Sequence, residues 1–278
     1  MIGSSVGAIY ATIANLPRDL VFKQRNTSLL CVIPGPKEPG ADCFARILEP
    51  IVADLQRCEA GVGFFRGEQQ LTFTTRVLLF ASDLLAAKKL IGTISHAHKL
   101  HPCHQCATPL SDINTPAGYD WRNFKYHPPE VLLQAAFEYE RADPHRRQEI
   151  EDAYGVRFSP FLRLIGMDHG HSSPVDGLHN SFLGIAKSFV NMTFQRKVFG
   201  ASLLDDYKDD EFGEDARIEA FCAVFESATY PGHLGRLPSR VTKQFARADR
   251  DRAGSGLKAD QWKRIAQLLL IALFMGLK

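Results

Sequence analysis

An α/β fold, strands first and helices after, is predicted by three observations. The first 92 residues hold short β-branched and aromatic runs bounded by Gly and Pro. Beyond Cys106 the apolar residues recur at three- and four-residue spacing. A dense His/Cys cluster lies between the two regions and joins them. With 278 residues, 45% hydrophobic and 23% charged, the chain suits one large domain or two modest ones, and collagen-like, low-complexity and wholly disordered readings are excluded.

Val6 to Ala14 reads as the first strand, closed by Asn15-Leu16-Pro17. Ser28 to Ile33 is a continuous apolar run ended by Pro34-Gly35-Pro36, which suits a second strand. Phe44, Ile47, Leu48, Ile51, Val52 and Leu55 then place one apolar stripe on a helix over residues 42–57, with Asp42 as its N-cap. Leu71 to Ala81 reads as a third strand running into a helix over 84–90, so that Asp83 sits where strand meets helix, with an N-cap of that helix as its alternative role. Helical spacing or composition follows over Pro129–Tyr154 with a break near Pro144, then Leu178–Val198, Ala216–Ser227 and Ala259–Leu277, with loops around 204–215 and 254–256.

Lys and Arg total 33 against 31 acids, but the charge is unevenly placed. From Pro231 to Lys278 the net is +7, leaving about −5 on the first 230 residues. That basic end suits either phosphate or plain solvent. The apolar run Ile265–Leu277 is 13 residues long, short of the roughly 20 that a bilayer requires, so no membrane span is expected. The first residues show no charged region followed by an apolar one, so secretion is not expected. Four of the six cysteines stand alone, which is no disulfide framework and points to a reducing compartment.

The strongest local signal is His96-Ala-His98-Lys-Leu-His101-Pro-Cys103-His104-Gln-Cys106. Two thiolates at CxxC spacing can grip one tetrahedral ion from a single tight turn, so a structural zinc is favoured over a redox pair or an ordinary loop pair. Its other two ligands must come from elsewhere: His96, His127, His169, His171 and His179 are all available. A second constellation is Met167-Asp-His-Gly-His171 followed by Val175-Asp-Gly-Leu-His-Asn180, where Asp176 and His179 share a helix face if the helix starts at Asp176, or Asp176 is only its starting acid.

Several collinear stretches carry a family likeness: Val6-Gly-Ala-Ile-Tyr-Ala-Thr-Ile-Ala-Asn-Leu-Pro-Arg18, Cys31-Val-Ile-Pro-Gly-Pro-Lys-Glu-Pro39, Phe80-Ala-Ser-Asp-Leu-Leu-Ala-Ala-Lys88 and Cys103-His-Gln-Cys106. Gly155-Val-Arg-Phe-Ser159, Val175-Asp-Gly-Leu-His-Asn-Ser-Phe-Leu-Gly184, Leu234-Gly-Arg-Leu-Pro238 and Ala259-Asp-Gln-Trp-Lys263 continue it over nearly the whole chain. In these the chain resembles the plant CACTA (En/Spm-type) transposases and their fungal relatives.

The resemblance implies an RNase H-like catalytic core in which carboxylates hold two Mg²⁺ or Mn²⁺ ions for in-line attack on a DNA phosphodiester. It implies that Ala8–Ala14 and Ser28–Ile33 pair antiparallel, and it makes Asp83 the second catalytic acid. The first would lie on a strand ahead of Val6, before Met1, so the mixed sheet is expected to be incomplete with an exposed edge, and the third is unassigned among Glu214, Glu219 and Glu226 or beyond Lys278. The implied domains are a partial core over 1–94, a zinc-binding loop over 95–110 and a helical region over 111–278 with a basic end. His179 is the first choice for a third zinc ligand because its motif is among the most specific pieces. His96 is the fourth, with His98, His101 and His104 as its replacements. Arg236, Arg240, Lys243 and Arg247 are the expected DNA contacts. Nuclear transposon-end DNA is the implied partner, with a second copy of the chain as a further one. The function implied is a DDE-type transposase fragment, catalytically incomplete as this chain; the alternative is a non-catalytic, zinc-stabilised DNA-binding or interaction remnant.

Overall fold

The structure is a computed structural model that describes residues 7–33, 35, 37, 39–194, 213–229, 237 and 257–277. It is mixed α/β with two small antiparallel sheets. Two compact units divide it, Met1–Pro174 and Val175–Lys278, so the His/Cys loop lies inside the first.

In the first unit β1 (Gly7–Thr12) and β2 (Thr27–Ile33) pair antiparallel from Gly7↔Ile33 to Thr12↔Thr27, with an irregularity at Ile9/Tyr10. This ribbon leaves Tyr10, Leu29 and Val32 exposed, while Ile9 turns inward. Helix α1 (Ala41–Ala60) carries the expected stripe and buries Leu48 and Val52. Its N-cap is Gly40, not Asp42: the Gly40 carbonyl accepts the Phe44 N–H at 2.9 Å, and Asp42 falls in the first turn, where its carboxylate faces Arg147 at 3.4 Å.

The third strand differs from expectation. Val62–Arg66 (β3) and Gln69–Phe73 (β4) form a hairpin, and Gly67, at φ 63, supplies the positive φ that its two-residue turn needs. Residues 74–83 form no strand: Thr75 donates to the Cys58 carbonyl and Phe80 to the Ser172 carbonyl, so the backbone is satisfied without a ladder. Asp83 therefore does not end a strand.

Helix α2 (Leu84–Ile91) follows, capped by Asp83, whose carboxylate accepts the Ala86 N–H at 2.9 Å. Helices α3 (Pro129–Arg141) and α4 (Pro144–Tyr154) break at Pro144 as expected and bury Leu132, Ala135, Ala136, Tyr139 and Ile150 between them with Val156 and Leu162. Leu48 and Val52 of α1 pack with Phe161, Leu164 and Met167 in a second cluster. Full burial of such side chains contributes roughly 1.5 to 3 kcal/mol each.

In the second unit Leu178–Ala186 winds as a π-helix and continues into α5 (Lys187–Phe194). Helices α6 (Gly213–Ser227) and α7 (Ala259–Leu277) share a core of Val190, Phe221, Cys222, Phe225, Trp262 and Ile265. No described helix is long and apolar enough to cross a membrane.

Candidate functional site

The Cys103–Cys106 turn is built from its own backbone. The N–H groups of Gln105 and Cys106 both point at the Cys103 sulfur, each at 3.3 Å. Donors aimed at one sulfur favour its thiolate form, the form that binds metal. The hydrogen bond between the two sulfurs, with burial, outweighs those donors and raises Cys103, while the same hydrogen bond lowers Cys106. The turn is pinned on one side by a bridge from Cys106 to Tyr126 and by the Ala107 N–H donating to the Lys125 carbonyl at 2.8 Å.

On its other side the turn docks against residues 168–173. Gln105 donates to the Gly170 carbonyl at 3.2 Å, and the His104 ring donates through Nε2 to the Ser173 carbonyl at 3.1 Å. The CHQC and DHGH motifs, 65 residues apart, thus share one surface. His169 is fully buried with no hydrogen-bond partner at either ring nitrogen, and burial pushes it down to about 4.

Two further imidazoles lie beside the turn. The His101 and His127 rings sit 5.5 Å apart. His101 Nε2 faces the Asp152 carbonyl at 3.1 Å; a carbonyl only accepts, so Nε2 carries the proton and Nδ1 keeps its lone pair. His101 Nδ1 and His127 Nε2 are both buried without a partner. Burial lowers both histidines, which keeps the rings neutral.

Lys88 was unforeseen. It is 3% exposed, its ammonium has no partner, and burial lowers it to about 8, offset in part by Cys103. Nothing in the sequence marks it, since a lysine in a helix's last turn is ordinarily a solvated one.

Asp168 and Asp176 show the same local device. Asp168 accepts the Gly170 and His171 N–H groups and meets His171 Nδ1 at 2.9 Å. Asp176 accepts the Leu178 and His179 N–H groups and contacts His179 Nδ1. Burial opposes both charges, yet these donors hold each carboxyl below its ordinary range. The shared Asp-x-x-His spacing was the available signal.

Of the expected zinc ligands, Cys103 and Cys106 are together, His96 is exposed, and His179 belongs to the second unit. Among the described residues no three His, Cys, Asp or Glu side chains converge as a ready-made metal cage. Asp83 is spent, in part, on capping α2. Glu219 and Glu226 lie on α6 and are exposed. The Glu214 side chain and all of Arg236, Arg240, Lys243 and Arg247 lie outside the described residues. No family model and no curated protein matches this chain.

Proposed function

We propose that the chain is part of a DDE-type transposase of CACTA kind, a nuclear protein that acts on transposon-end DNA, with an RNase H-like core, Asp83 as one carboxylate for Mg²⁺ or Mn²⁺, and a structural zinc held by Cys103 and Cys106. The observation that carries this reading is the convergence of stretches that bear the resemblance. Arg157 N–H donates to the Gly92 carbonyl at 2.8 Å just beyond the Asp83 helix, the Ser159 hydroxyl meets the Leu90 carbonyl at 2.5 Å, and Ile94 N–H donates to the Gly155 carbonyl at 3.1 Å. The Gly155–Ser159 stretch is therefore packed on the end of the helix that Asp83 opens, with the CHQC turn docked nearby on the chain that also binds Phe80.

Asp83 would hold a metal with the carboxylate oxygen that Ala86 leaves free. A strand-transfer assay with Mg²⁺ or Mn²⁺ on transposon-end DNA tests the reading directly. Cleavage that disappears in Asp83→Asn supports the active form, and robust cleavage by this chain overturns the expectation that its carboxylate set is incomplete.

The capping role of Asp83 favours the second reading, a zinc-stabilised DNA-binding remnant. It predicts DNA binding without turnover, with a log–log salt slope that falls by roughly 3 to 4 when Arg236, Arg240, Lys243 and Arg247 are neutralised, at about 0.9 per phosphate contact. No DNA binding at low salt sinks both readings.

A further inference from the structure

We propose that His101 and His127 complete, with Cys103 and Cys106, a tetrahedral site for a thiophilic divalent cation such as zinc, binding through His101 Nδ1 and His127 Nε2. The inference rests on the zinc reading above and assigns the two ligands that the sequence left among many histidines.

The first support is an accounting of polar atoms. A buried ring nitrogen without a partner calls for an explanation, and an ion is one. His101 Nδ1 and His127 Nε2 are such atoms, on rings 5.5 Å apart. The second support is tautomer. Metal-binding imidazoles ordinarily donate their other N–H to a carboxylate or backbone carbonyl, which turns the lone pair toward the metal. His101 does this through the Asp152 carbonyl at 3.1 Å. The third is placement. His101 lies two residues before Cys103, and His127 follows Tyr126, the residue bridged to Cys106. All four candidates thus flank one turn inside one unit.

Neighbouring histidines fit less well. His98 Nδ1 already accepts the Leu100 and His101 N–H groups, and its Nε2 faces the Asp152 carboxylate at 4.0 Å. His104 resembles His101 in giving Nε2 to a carbonyl and keeping a buried Nδ1 without a partner, but that carbonyl is Ser173, which holds its ring on the 168–173 side of the turn. Two thiolates and two neutral imidazoles would make an uncharged zinc centre, the least costly kind to bury. The donors do not yet converge, so the ion would draw them together, and binding would order the loop.

The test is metal content of the reduced full chain by elemental analysis, with Co²⁺ replacing Zn²⁺ for its absorption spectrum. Wild type should bind one ion, with a tetrahedral cobalt spectrum showing sulfur-to-metal charge transfer. Cys103→Ser with Cys106→Ser should abolish it. His101→Gln and His127→Gln should each weaken binding at least about tenfold, whereas His96→Gln, His179→Gln and His169→Gln should leave it unchanged. Because a glutamine variant could fail by misfolding, His101→Cys and His127→Cys serve as a second pair: each should keep the ion and intensify the charge-transfer band. Zinc that needs the cysteines but ignores His101 and His127 overturns this ligand assignment alone. Absence of stoichiometric metal from wild type overturns the zinc reading with it.

Discussion

Replacing Lys88 with methionine should stabilise the first unit, because the chain buries an ammonium that has no partner. The fall of its proton affinity from 10.5 to about 8 corresponds to about 3 kcal/mol, at about 1.4 kcal/mol per tenfold change. Methionine fills the volume of the lysine stem without the charge, so a gain of about 1 to 3 kcal/mol is expected at pH 7. Between pH 8 and 10.5 the unfolded chain holds a proton that the folded chain has released, so wild-type stability rises with pH across that window. The advantage of Lys88→Met should therefore shrink toward zero near pH 10.5. Cys103, His101 and His104 lie within electrostatic reach of the ammonium, so melts should be run in chelator and reductant and read as the difference between variants. At about 2 to 4 °C per kcal/mol for a unit of this size, the pH 7 shift is easily measured. A methionine variant that is less stable at pH 7, or whose difference from wild type ignores pH, refutes the reasoning.

Asp83→Ala should cost about 1 kcal/mol through the lost cap, while Asp83→Asn, an equally good cap, should cost little; equal losses in urea titrations would show that the cap at Ala86 is not what Asp83 contributes. Gly155→Ala should destabilise by more than the roughly 1 to 2 kcal/mol of a left-handed residue, since a Cβ would sit 2.5 Å from the His101 Cβ, whereas Gly166→Ala, with open space around it, should cost the conformational part only; identical melts for the two would remove the contact from the argument. Arg163→Ala should lose about 1 to 2 kcal/mol, less at high salt, because Arg163 joins Glu49 of α1, at 2.7 Å, to Glu140 of α3; a loss that salt leaves untouched points to its stacking over Phe158 instead.

Elements set by local pattern were legible in the sequence: the strands β1 and β2, the stripe of α1, the break at Pro144 and the full span of α7, while the pairing of β1 with β2 was implied by the family resemblance. What local pattern could not supply is a partner. Leu71 to Ala81 has strand composition throughout, yet only Leu71–Phe73 found a neighbour, in a β3 strand whose Gly67 turn went unread, and beyond them Thr75 and Phe80 donate to single carbonyls of Cys58 and Ser172. The cap of α1 was misplaced by two residues for a related reason: Gly40 in extended backbone already starts the helix, leaving Asp42 to its electrostatic role beside Arg147.

The site divides the same way. CxxC spacing declares itself because both sulfurs come from one turn, but the surroundings of the imidazoles are set by chain about 50 residues away. Helix α4 ends at Gly155 with φ 70, and that ending does two things for His101. The missing Cβ leaves room for the His101 side chain, which would otherwise collide with it at 2.5 Å. The last turn also presents the Asp152 carbonyl, one of the four that a helix cannot satisfy internally, and the His101 ring donates to it through Nε2. A helix terminus thus fixes which ring nitrogen keeps its lone pair. Spacing along 96–106 carries no trace of that choice, which is why the sequence put His96 ahead of His101.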